Sequence, residues 1–127
     1  MESRPFIDTH VLIWLFEGKT HLISPRVIEL IKNVQLWLSP LSILEIDYLY
    51  EVKKITYKGK DIFRGVSAVI AIEIKDDSFL AIINEASHIH WTRDAFDRLI
   101  VAQASLYKAS LITKDRKIAD HYKRAVW

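Results

Sequence analysis

Two apolar residues, Phe6 and Ile7, run straight into Asp8 and Thr9, and a segment with apolar positions at helical spacing, Val11 to Phe16, follows at once. This reads as a short buried strand that delivers a carboxylate to its own C-terminal end just before a helix begins. In parallel α/β sheets, ligands bind beyond that end of the strands. Leu111-Ile112-Thr113-Lys114-Asp115 repeats the theme, an apolar strand followed by Asp at a helix start. Taken singly, each Asp also suits plain helix capping. Only convergence with other groups gives either one a chemical role.

The segments between these two strands alternate in the same way. Ser24-Pro25 starts a second helix, with Ile28, Ile31 and Val34 among its apolar positions. Gln35 to Ser39 reads as a strand, and a helix from Pro40 or Leu41 runs to about Lys54. Thr56 to Lys60, polar and with Gly59, reads as a loop, and Asp61 to Ile70 as a helix. Ala71 to Lys75 alternates like a strand, and Asp76 or Asp77 is expected to cap a helix over Ser78 to Ala86. After a connection over Ser87 to Thr92 come a helix over Asp94 to Lys108, a strand over Ser110 to Lys114, a short helix over Asp115 to Lys123 and a final strand over Ala125 to Trp127. Strands alternating with helices imply an α/β/α sandwich, three layers around a central parallel sheet of four to five strands. At 127 residues the expectation is a single domain over 1–127.

Composition enters by exclusion. With no cysteine, disulfide frameworks, thiolate zinc sites and cysteine nucleophiles drop out. No apolar run approaches the roughly 20 residues of a membrane span, and no signal-peptide pattern opens the chain, so a soluble cytoplasmic protein is expected. Net charge is +2, yet setting aside five candidate acids (Asp8, Glu45, Asp94, Asp97, Asp115) leaves a body of +7. A basic body around an acidic, cation-neutralised centre suits a polyanionic substrate.

The acids repay closer reading. In the helix from Leu41, the positions Leu41, Leu44, Tyr48 and Val52 form an apolar stripe that includes Glu45, while Asp47, Glu51 and Lys54 take the solvated face. A carboxylate on a buried stripe needs either a core Arg or a cation. In Thr92-Arg93-Asp94-Ala95-Phe96-Asp97-Arg98, Asp94 and Asp97 project from a first turn, where the helix dipole favours negative charge, with Phe96, Leu99, Ile100 and Gln103 on one face. A capping box explains that pair equally well. All five acids can nevertheless meet at one sheet edge, where carboxylates crowd unfavourably without cations. Oxygen ligands without Cys or a helical His pair select Mg²⁺, with Mn²⁺ as substitute, over Zn²⁺. Such a centre lowers the pKa of water and clamps attacking and leaving oxygens in phosphodiester hydrolysis.

The order of Phe6-Ile7-Asp8-Thr9-His10, Ser42-Ile43-Leu44-Glu45-Ile46, Arg93 through Ala104 and Leu111 through Asp115 resembles the PIN-domain ribonucleases, in particular the VapC-like toxins of type II toxin–antitoxin systems. The likeness spans nearly the whole chain. It implies an acidic quartet of Asp8, Glu45, Asp97 and Asp115 with Asp94 as accessory acid, Mg²⁺-dependent cleavage of single-stranded RNA, homodimers, and inhibition by a cognate VapB-like antitoxin. One departure is Ala95, where relatives often carry Pro; a helix start tolerates it. Thr9, Arg93, Arg98, Thr113, Lys114 and Arg116 are candidate substrate-binding residues. Other members of the fold process RNA without being toxins.

Two rivals share this scaffold: a phospho-accepting, Mg²⁺-binding receiver-like signalling domain, and a catalytically silent interaction module. The first is weakened by a lone Asp where an acidic pair is needed. Other signals carry less. Gly18, Gly59 and Gly65 form no dinucleotide or P-loop fingerprint, and His88-Ile89-His90 lacks the further ligands zinc requires. Ser105 to Lys108 reads as helix surface. Lys53, Lys54, Lys58, Lys60 and Arg64 form a solvated basic face or an RNA-contacting rim. Trp14 fits the core or a dimer interface better than a base-stacking platform.

Overall fold

The structure, a computed structural model, describes residues 4–127. In chain order it comprises β1 (Phe6–Ile7), α1 (Thr9–Glu17), a 3-10 turn (Thr20–Leu22), α2 (Pro25–Asn33), β2 (Leu36–Leu38), α3 (Pro40–Glu51), α4 (Gly59–Ser67), β3 (Ile72–Ile74), α5 (Phe79–Ala86), α6 (Ala95–Leu106), β4 (Leu111–Ile112), α7 (Arg116–His121) and β5 (Ala125–Val126). The five strands form one sheet in the order β3-β2-β1-β4-β5, parallel at every pairing. Chain direction across the sheet reverses at β1. The crevice beyond β1 and β4 is therefore the topological switch point, where open α/β sheets bind ligands. This order also sets aside the receiver-like rival, because receiver domains wind their strands 2-1-3-4-5.

The central strands β1 and β4 are buried on both faces, and the two-residue period of the sheet divides the core. Ile7, Leu36, Leu38, Ile72 and Ile112 face one way, against Val11, Leu12, Val27, Ile31, Ile46, Ile62 and Val66 of α1 to α4. Phe6 and Leu111 face the other way, against Ile82 and Ala86 of α5, Ile100, Val101 and Ala104 of α6, and Ile118 of α7. Two apolar layers thus sandwich the sheet, as its near-continuous strand hydrophobicity requires.

Several expectations change in detail. The α3 stripe is out of phase: Leu44, Tyr48 and Val52 are exposed, while Ser42 and Ile46 face the core with Ile43 and Leu49 half-buried. Asp47 is not simply solvated. It accepts the Gly59 N–H at 2.8 Å and pins the start of α4, which begins at Gly59 rather than after it. A side chain has no room at Gly59, since a Cβ there would lie 2.4 Å from the Ile43 carbonyl oxygen. Ser78, not Asp76 or Asp77, caps α5, through the Ala81 N–H. Asp77 instead accepts from Gln103, Lys75 and Tyr107, tying β3 to the end of α6. Ser105 is likewise engaged, donating to Glu85 of α5 at 2.7 Å. The strands are shorter than read, with pairing carried past their ends by bonds such as Phe6 N–H to the Ser110 carbonyl.

Candidate metal centre

Asp8 stands where β1 becomes α1. Its backbone N–H donates to the Ile112 carbonyl of β4, and its Oδ1 accepts the Thr9 N–H at 2.8 Å as an N-cap. Thr113, just beyond β4, donates its hydroxyl to Asp8 Oδ2 at 2.7 Å and accepts the Asp115 N–H at 3.0 Å. One buried threonine thus fixes acids that follow two different strands. Thr9 donates its hydroxyl to Ser42 at 2.9 Å, docking the start of α1 against α3 one turn before Glu45. Asp94 caps α6 through the Asp97 N–H at 3.0 Å, and Asp115 caps α7 through the Ile118 N–H at 3.0 Å.

Capping and ligation are therefore compatible in these aspartates. Asp94 and Asp115 each use Oδ1 for the cap, which leaves the second oxygen of the carboxylate for another partner. The capping box foreseen for α6 is present in its Asp94 half.

Asp8, Glu45, Asp94, Asp97 and Asp115 line a single cavity of about 430 Å³, together with His10, Val11, Trp14 and Lys114. Crowding leaves its mark on their proton affinities. Burial, then Asp94, Asp8, Glu45 and Asp115 in turn, push the Asp97 carboxyl up to about 7. Burial raises Glu45 as well, and the negative charges of Asp8 and Asp94 add to it against the Thr9 hydroxyl and His10. Asp8 is raised chiefly by burial, while the Thr113 hydroxyl, the Thr9 N–H and His10 pull the other way.

Glu45 Oε1 is buried with no hydrogen-bond partner, an arrangement that costs free energy unless a cation or donor meets it. No core Arg fills that role, since none is salt-bridged to Glu45 among the described residues. The acids surround the cavity without three of them converging to cage an ion by themselves, again among the described residues. A hard-oxygen donor set with an orphaned buried oxygen fits a divalent ion of the Mg²⁺ type.

The remaining sequence candidates divide. Thr9 and Thr113 are buried and orient acids rather than facing the cavity. Lys114 lines it, with its ammonium 5.7 Å over the Trp14 ring. Arg93, Arg98 and Arg116 do not line it. Arg98 turns back to donate Nε–H to the Ala86 carbonyl at 3.0 Å, locking α6 to α5, and with Arg93 it borders a separate groove. Three cavity residues lay outside the expected site: His10, Val11 and Trp14, the last assigned to the core or a dimer interface over a stacking platform. For His10 and Trp14 the spacing was the available signal: two residues after Asp8 and one helical turn on, both lie on the face of α1 that follows the acid.

The sequence pattern of the PIN domain family matches residues 6–124, spanning all of the acids. The chain belongs to the PIN domain family. Solved structures agree on the fold. This PIN domain superposes with a TM-score of 0.62 on a toxin-antitoxin complex from Klebsiella pneumoniae at 20% identity, covering 98% of this chain and 97% of that one. VapBC2 from Rickettsia felis, bound to a DNA fragment from its promoter, gives 0.64 at 18% identity over 93% and 92% of the two chains. VapBC-1 from nontypeable Haemophilus influenzae gives 0.61 at 18% identity over 93% and 94%. No curated protein matches the sequence closely enough to count as a relative.

Proposed function

We propose that this PIN domain is a Mg²⁺-dependent endoribonuclease for single-stranded RNA and the VapC-like toxin of a type II toxin–antitoxin pair. The observation that carries the reading is the gathering of five carboxylates from four parts of the chain around one cavity, with a buried Glu45 oxygen left unpartnered. Asp8, Glu45, Asp97 and Asp115 would hold the divalent ion, with Asp94 as accessory ligand. Bound there, Mg²⁺ or Mn²⁺ would supply Lewis-acid activation of water and charge neutralisation at a phosphodiester.

The chain's own residues have definite tasks in this scheme. Thr113 holds Asp8 and the Asp115 backbone in register, and the first turn of α6 presents Asp97 where its dipole favours negative charge. Lys114 is the cation at the cavity placed to meet a phosphate. Support for the toxin role comes from the solved structures of the same fold, which are toxin–antitoxin complexes. By the same support a VapB-like antitoxin is the expected partner, and the resemblance to VapC-like toxins adds a second copy of the chain.

Purified protein with Mn²⁺ or Mg²⁺ should cut single-stranded RNA, and EDTA should stop it. Asn caps helices as well as Asp does, so Asp8→Asn should fold normally while cleavage falls below detection. Wild-type turnover in that variant would remove Asp8 from its role. Failure of the wild type to bind Mn²⁺ in calorimetry would instead favour the silent interaction module.

A further inference from the structure

Trp14 packs against the core but is not enclosed by it. Its ring is half-buried at the wall of the acidic cavity, one helical turn past His10 and two turns from Asp8. The Trp127 ring meets it edge-on at 6.2 Å and 66°, holding the indole from one side. Over the ring lies the ammonium of Lys114, at 5.7 Å, on a side chain that is itself exposed. An indole flanked by the His10 ring at 6.2 Å and by Trp127, lining a cavity of carboxylates and covered by one exposed cation, is built as a stacking platform.

We infer that the Trp14 ring seats an unpaired nucleobase next to the phosphodiester at the acids, with Lys114 leaving the ring to meet the strand's phosphate. The inference rests on the nuclease reading of the site and adds the feature of the substrate that the site grips. An exposed cation–π contact is weaker than a base–aromatic stack, so exchanging lysine for a base on the indole is downhill. The displaced ammonium then meets a phosphate, a better partner than a ring face. A base in a duplex cannot offer its face to the indole without unstacking, so the platform also selects single strands. Stacking tolerates every base, which makes Trp14 a positioning residue and not a reader of sequence.

The test uses labelled single-stranded RNA, intact or with the bases removed at successive positions, bound to the Asp97→Asn protein in Mg²⁺ and followed by fluorescence anisotropy. The intact strand should bind about 10-fold or more tightly than the abasic strand. Trp14→Leu should abolish that difference, and Trp14→Phe should restore most of it, which separates stacking from a folding defect. Lys114→Gln should weaken intact and abasic strands alike and flatten the dependence on salt. Equal affinity for the two strands, lack of binding by either, or a Trp14→Leu protein that still discriminates between them overturns the inference. Cleavage by the wild type is scored separately. Discrimination without cleavage sinks the nuclease reading and spares the platform, whereas cleavage without discrimination does the reverse.

Discussion

At the residue scale, Asp97 shows how a site can work against its own fold. Its carboxyl, pushed up to about 7, holds a proton in the folded chain that the unfolded chain has released above about pH 4. The folded state therefore binds more protons between those limits, and stability of the metal-free protein falls as pH rises through the window. Asp97→Asn removes that penalty. In EDTA at pH 8 the variant should be more stable than wild type by about 1–2 kcal/mol, the shift being discounted for the part of the group that water still reaches. That corresponds to a melting temperature higher by about 3–6 °C, with the advantage vanishing near pH 4. A variant no more stable at pH 8 would show that burial and the neighbouring acids do not hold a proton on Asp97.

Thr113 is the complementary case, a small residue that two acids depend on. Thr113→Val keeps the shape but strands Asp8 Oδ2 and the Asp115 N–H. Urea unfolding should register a loss of about 1–3 kcal/mol. Because the hydroxyl aims Asp8, Mn²⁺ affinity should also fall by about 10- to 100-fold, and calorimetry is the direct measure. Unchanged metal affinity beside lost stability would reduce Thr113 to a structural role.

Among the elements, legibility followed the strength of the local rule. Strand-then-Asp followed by a helical period was readable at both β1 and β4, because capping and period-two burial act on neighbouring residues. The same locality made the Asp94 cap and the buried Ile100 and Gln103 face of α6 legible. The phase of α3 was not. Leu41, Ile43, Leu44, Ile46, Tyr48, Leu49, Tyr50 and Val52 put apolar residues on nearly every side of that helix, so no single face stands out. Tertiary packing chose the Ser42 and Ile46 side, and two cues pointing that way were non-local: the Thr9 hydroxyl bond to Ser42, and the contact between Gly59 and the Ile43 backbone. The placements of Arg98 and Asp77 were hidden for the same reason, since each is decided by a partner at least 12 residues away. Gly59→Ala tests this account of how α3 and α4 meet. With a Cβ 2.4 Å from a backbone oxygen, the helices must separate, and a loss of about 1–3 kcal/mol in chemical unfolding is expected. A neutral substitution would mean that the α3–α4 contact is loose.

On the scale of the whole molecule, α5 is the element least suited to standing free. Its inner side buries Ile82 and Ala86 against the sheet and α6, yet Phe79, Leu80 and Ile83 on its outer side are all exposed. Exposed large apolar side chains gathered on one side of a helix mark a surface suited to a partner. Fully covering each of these side chains would contribute about 1.5–3 kcal/mol before association costs. Ile83 lies three residues from Leu80 and four from Phe79, so the three share one side of the helix, which a second copy of the chain can meet across a twofold axis. The homodimer proposed above would use this face of α5. Replacing Phe79 and Leu80 together by Ser should convert the dimer to a monomer in light scattering, with RNA binding at the acidic cavity retained. A dimer that survives the double substitution would move the interface elsewhere on the surface, with the exposed Leu44, Tyr48 and Val52 of α3 the next face to test.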